Sequence, residues 1–162
     1  MEIRKGTAWE LDELAALYNA VCGALEAGIN YPGWRRDIYP TRQDAERGVA
    51  AGELYVAVEQ GAIAGTMILR QGQEPGYRTA RWGRELTDSE VLTVYTFAVH
   101  PGHAGKGVGA AMLAFAEGWL PRRAKRRCGW MFTRKTRRPC GCMKNAGSGI
   151  LPPWTWDIPT TG

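Results

Sequence analysis

Residues 94–113 read VYTFAVHPGHAGKGVGAAML, and no other segment limits the fold as much. The apolar, β-branched run from Val91 to Val99 predicts a buried strand. Pro101 turns the chain, His100 to Lys106 forms a loop, and Gly105, Gly107 and Gly109 open a helix. Val108, Met112, Phe115 and Trp119 then fall on one helical face and carry the helix to about Leu120. Glycine has no Cβ, so its backbone N–H groups can come close to an anion. A helix N-terminus adds about half a positive charge. The segment therefore predicts a strand–loop–helix unit with a phosphate or diphosphate site at the helix mouth. The competing reading is a glycine-rich turn with no ligand.

The upstream residues supply a layer on which such a unit can rest. Met1 to Lys5 predicts a short strand, and Thr7 with Glu10 has the T-x-x-E spacing of a capping box. Leu11, Leu14, Tyr18, Val21 and Leu25 recur at helical spacing, giving a helix from about Ala8 to Glu26. Asn30 to Pro40 holds Gly33 and two prolines and reads as a loop with Tyr31, Trp34 and Tyr39. Thr41 and Asp44 repeat the capping spacing ahead of a short helix to about Ala51. Leu54–Glu59 and Ala62–Leu69 read as paired strands around the turn Gln60-Gly61. Gln71 to Asp88 is a long polar connection. The order β-α-α-β-β-β-α predicts a three-layer α/β fold: a mixed sheet with helices on both faces. At 162 residues, 44% of them hydrophobic, the chain suits one domain with one sizeable core.

Three known glycine loops can be laid on residues 99–110. A P-loop needs Gly-Lys-Ser/Thr, but Lys106 is followed by Gly107, so that pattern fails. A dinucleotide fingerprint fits Gly105, Gly107 and Ala110 formally. However, five residues separate the strand from Gly105, and no acid follows about 20 residues on. The third is an acyl-CoA loop: a strand ending V-x-P, then [QR]-x-x-G-x-[GA], then a helix. It stands here as Val99-His100-Pro101 and Ala104-Gly105-Lys106-Gly107-Val108-Gly109. On this motif and the element order, residues 1–120 resemble the GCN5-related N-acetyltransferase (GNAT) family. Ala104 stands where the family usually has Gln or Arg, which removes one polar side chain but no backbone donor.

The resemblance implies transfer of an acetyl group from acetyl-CoA, with no metal, to a primary amine of a small molecule or peptide. It implies direct attack of the amine on the thioester. The cofactor residues it maps are Phe97, Ala98 and Val99 for the pantetheine arm, and Ala104, Gly105, Lys106, Gly107, Val108, Gly109 and Ala110 for the diphosphate. The N–H of Val99 maps to the thioester oxygen, where negative charge develops. Tyr31, Trp34 and Tyr39 map to the acceptor side; a local aromatic cluster explains them equally well. Glu90 and Tyr95 are the candidate proton-transfer groups. Each also has a plain structural reading, Glu90 as a solvated acid at the strand start and Tyr95 as a packed aromatic. His100 and His103 read as turn residues. A homodimer is left open.

The last quarter of the chain breaks this pattern. Residues 1–120 carry 11 Lys/Arg and 15 Asp/Glu, whereas residues 121–162 carry 10 Lys/Arg and one acid, Asp157. The family's next helix, N-x-x-A-x-x-L-Y-x-K-x-G-F, is not written there, and no Tyr follows Tyr95. The genetic code offers an explanation. Trp130-Met131-Phe132 read from the third base of each codon forces Asp-Val, and Met143-Lys144 forces Glu. Flanking codons permit the family helix across Thr136 to Gly149 at its own spacing. Residues from about 118–124 onward are therefore expected to be an out-of-frame translation of the family's C-terminal half.

Other readings of the tail carry less. The basic runs 122–127 and 134–138 are the basis for an alternative, a nucleic-acid-binding protein. Cys128, Cys140 and Cys142 lack a fourth zinc ligand. No apolar run reaches the roughly 18 residues of a membrane-spanning helix. The N-terminus shows no secretory signal, so the cytoplasm is the expected compartment.

Overall fold

The computed structural model describes residues 1–72 and 87–119. Four strands form one sheet in the order β1 (Glu2–Lys5), β2 (Leu54–Glu59), β3 (Ala62–Gln71) and β4 (Leu92–Val99). All three ladders are antiparallel. The parallel pairing expected of a mixed sheet does not occur among the described residues. Each described strand lies beside the next one in sequence and runs opposite to it, whether joined by the two-residue turn of β2–β3 or by helices, as between β1 and β2. Helices α1 (Leu11–Glu26) and α2 (Arg42–Ala50) cover one face, and α3 (Val108–Trp119) covers the other.

The strand sequences dictate this three-layer packing. Alternate residues of β2 point to opposite faces. Leu54 and Val56 join Leu14, Leu17, Tyr18, Val21 and Ala45 under α1 and α2. Tyr55 and Ala57 join Met67, Leu69, Val108, Met112 and Ala116 under α3. Both sides of β2 are buried, so it reads as an unbroken apolar run. The turn between β2 and β3 places Gln60 and Gly61 at φ of 53° and 83°, the two positive values of a type I′ hairpin. Helix α3 crosses the sheet at Gly65. A Cβ there would stand 2.8 Å from Met112 Sδ and 3.0 Å from the Ala98 carbonyl.

The expected capping boxes form. Glu10 accepts from the Thr7 N–H and hydroxyl, both at 2.8 Å, and is held by Arg4 at 2.6 Å. Asp44 accepts from the Thr41 N–H and hydroxyl, both at 2.7 Å. The first box closes a 3-10 turn, Ala8–Glu10, that leads into α1. Another such turn, Asp88–Glu90, precedes β4, so Glu90 ends a turn and the strand starts at Leu92.

Strand β4 departs from the plain strand that its sequence predicts. The register runs Ile68↔Tyr95 and then Thr66↔Ala98, so Thr96 and Phe97 together face Met67. This is a β-bulge. Thr96 sits in it at φ 46°, which a β-branched residue rarely adopts.

Candidate active site

The glycine loop follows directly from the end of β4. The His100 N–H donates to the Ala64 carbonyl at 2.9 Å and closes the ladder. A 3-10 turn over Pro101–His103 reverses the chain. His100 Nδ1 accepts from the Gly102 N–H at 3.1 Å. His103 Nδ1 lies 2.9 Å from Glu59 Oε2, which ties the loop to the β2–β3 hairpin. Both imidazoles thus hold the loop in shape, in keeping with their reading as turn residues.

Gly105 and Gly107 have φ of 77° and 82°, and a Cβ at either would meet open space. They are glycines because of their backbone conformation, not because of crowding. From Gly105 to Ala110, only the Lys106 N–H reaches a described backbone carbonyl, that of His103 at 3.3 Å. The first turn of α3 holds no acidic residue. The side chains of Ala104, Lys106 and Ala110 are exposed, whereas Val108 is buried in the α3 cluster. A Cβ on Gly109 would lie 3.6 Å from Phe97 and Val99, at ordinary contact distance. Helix, loop and strand therefore meet at this corner.

The bulge decides where the strand's amides point. The Gly72 N–H donates to the Val91 carbonyl, so Val91, Thr93 and Tyr95 turn their backbone polar groups toward β3. Without an extra residue, Phe97 and Val99 would continue that alternation. The bulge reverses it: Ala98 and His100 face β3, and the N–H of Val99 points to the other edge of β4. Phe97 and Val99 pack toward α3, while Ala98 packs toward α1.

The aromatic loop between α1 and α2 reaches the same place. The Tyr39 hydroxyl is 2.6 Å from Thr96 Oγ1. Trp34 meets Tyr39 edge-on at 5.8 Å and packs on the α1 cluster. Asn30 clamps Trp34 through its N–H (3.0 Å) and carbonyl (2.6 Å). Tyr31 stays exposed. Tyr95 lies against the α1 cluster with the Arg70 guanidinium 5.1 Å from its ring centre, as the packed-aromatic reading expects. The Glu90 side chain is outside the described residues.

The sequence places Tyr18 on a helix face but does not show what its hydroxyl, Thr66 or Thr96 meets in the fold. Tyr18 is 1% exposed, and its hydroxyl has no partner among the described residues. Burial pushes its pKa well above the ordinary phenol value. The neighbouring Thr66 hydroxyl pulls the other way but donates its own proton to the Tyr55 carbonyl. A polar hydroxyl among core residues was the only sequence signal, and one strand does not show what it faces. Among the described residues, no three His, Cys, Asp or Glu converge as a metal site, and no helix is long and apolar enough to cross a membrane.

The sheet, its two helical layers and the open glycine loop define the acyl-CoA N-acyltransferase-like fold. Similar solved structures agree on that fold. An acetyltransferase of the GNAT family from Streptococcus agalactiae 2603 is 22% identical, covers 72% of this chain and 69% of its own, and has a TM-score of 0.61. One from Listeria monocytogenes 4b F2365 is 20% identical, with coverages of 72% and 67% and a TM-score of 0.55. A GNAT-like decarboxylase, GphF, in complex with isobutyryl-CoA is 20% identical, with coverages of 80% and 67% and a TM-score of 0.53. No curated protein matches the sequence. The family model for the acetyltransferase (GNAT) family matches residues 14–140, and the chain belongs to that family, which uses acyl-CoA.

Proposed function

We propose that this chain transfers an acetyl group from acetyl-CoA to a primary amine of a small molecule or peptide. The observation that carries the reading is the set of N–H groups, at Gly105 and from Gly107 to Ala110, that meet no carbonyl among the described residues. Five donors at a helix mouth suit a diphosphate, and Lys106 adds a charge beside them. The arm of the coenzyme then runs along the edge of β4 at Phe97, Ala98 and Val99. The Val99 N–H meets the thioester oxygen as the amine nitrogen attacks the carbonyl carbon. The C–S bond breaks, the thiolate takes a proton, and the amine loses one. Glu90 and Tyr95 are proposed for those proton transfers. Trp34 and Tyr39, with Tyr31 outside them, line the acceptor side.

Calorimetric titration with CoA tests the site. The wild-type chain is expected to bind, and Gly107→Val to lose at least about tenfold in affinity, because valine resists positive φ. Absence of heat from the wild type, or unchanged affinity in the variant, overturns the reading.

The residues after about 118–124 are proposed to be an out-of-frame translation of the family's C-terminal half. The family match runs to residue 140, past that point, so the encoding DNA is the deciding test. Codons that permit the shifted helix support the proposal, and codons that forbid it end it.

A further inference from the structure

We propose that Tyr39 is a positioning residue: its hydroxyl, bonded to Thr96, locks the β4 bulge that turns the Val99 N–H toward the thioester. The inference rests on the acetyltransferase reading of the site and goes one step deeper. Three observations carry it. Thr96 holds a positive φ that a β-branched residue avoids, and such a conformation persists only where its surroundings fix it. The contact that fixes it is the 2.6 Å bond to Tyr39, across 57 residues of sequence. Tyr39 is itself held by Trp34, which Asn30 clamps at both backbone groups. The lock therefore has a rigid mount.

The consequence follows from the parity of the strand. With the bulge in place, Ala98 and His100 bond to β3 and Val99 presents its N–H to the edge away from β3. If Thr96 relaxes to an ordinary strand conformation, the alternation set by Val91, Thr93 and Tyr95 continues. The Val99 N–H then turns into the ladder. Gly105 and Gly107 keep their positive φ through this change, so its first effect falls on the β4 edge at Val99. Losing the lock should therefore cost recognition of the acyl group more than recognition of the rest of the coenzyme.

The test is a pair of calorimetric titrations on the full chain, one with CoA and one with acetyl-CoA. In the wild type, acetyl-CoA is expected to bind roughly three- to tenfold more tightly than CoA, the worth of one hydrogen bond to the thioester oxygen. Tyr39→Phe should bring that ratio to about one, with a smaller loss of CoA affinity because the pantetheine arm shares the same edge of β4. Thr96→Ala removes the other end of the bond and should do the same, whereas Thr96→Ser should keep the wild-type ratio. In Tyr39→Phe/Thr96→Gly the ratio should recover, because glycine holds positive φ without help. Rescue of this kind separates positioning from a general loss of packing. A wild-type ratio of one, a Tyr39→Phe variant that keeps its preference, or a failed glycine rescue overturns the inference. A wild type that binds neither ligand overturns the coenzyme site itself, a different result.

Discussion

Helices α1 and α2 begin under their own carboxylates, and α3 begins bare. Every helix starts with N–H groups that its own carbonyls cannot reach. The turn into α1 closes them with Glu10, and α2 closes them with Asp44. At α3, Gly105 and Gly107 take positive φ, no acid stands in the first turn, and the N–H groups from Gly107 to Ala110 meet no described carbonyl. The same chain thus writes a T-x-x-E or T-x-x-D cap at the helices on the other face of the sheet. It omits the cap at the one described helix that starts beside the edge of β4. On the proposed function, the difference marks a helix mouth kept for a ligand's negative charge.

The largest effect expected from this contrast is at the open mouth. Gly107→Val should lose at least about tenfold in CoA affinity, read by calorimetry, with little change in melting temperature. The opposite pattern belongs to the closed starts. Thr7→Ala should destabilise the chain by about 1 kcal/mol in a denaturant titration and leave CoA affinity alone. A smaller effect should appear in acid. The Arg4 guanidinium, helped by Thr7, holds Glu10 below the ordinary carboxylate value. Burial alone would raise Asp44, but its bonds to Thr41 and Arg47 outweigh that and lower it too. Groups with depressed folded-state values stabilise the fold above the unfolded value and lose that contribution as pH falls through the folded one. Melting temperature should therefore decline as pH drops below about 4.5, and more shallowly in Glu10→Gln. Equal pH profiles for the two proteins would show that the Glu10 cap contributes nothing.

The parts that local chemistry governs were readable from the residues. Thr7-x-x-Glu10, Thr41-x-x-Asp44, Gln60-Gly61 and the spacing of Leu14, Tyr18 and Val21 each state a cap, a turn or a helix face within a few residues. The glycine loop was readable for the same reason, because positive φ selects glycine. What could not be read depends on distant contacts. Residues 92–99 look like an uninterrupted strand, and a threonine at positive φ is the last thing its sequence suggests. Only Tyr39, brought back by the α1–α2 loop, explains Thr96. Likewise, Tyr95 and Tyr39 are both aromatic and close to the expected site. Only the fold shows that Tyr95 packs on the core while Tyr39 bonds to the bulge.

The contrast between capped and bare helices is tested most directly by writing a cap where none stands. Ala110 is exposed and sits three residues after Gly107, as Glu10 sits three after Thr7. In Ala110→Glu the new carboxylate can turn back on the bare N–H groups. Titrating CoA into that variant should show affinity reduced at least about tenfold, with a melting temperature equal to or above the wild type's. Undiminished CoA binding with the carboxylate in place would mean that those amides hold no coenzyme, and would contradict the account.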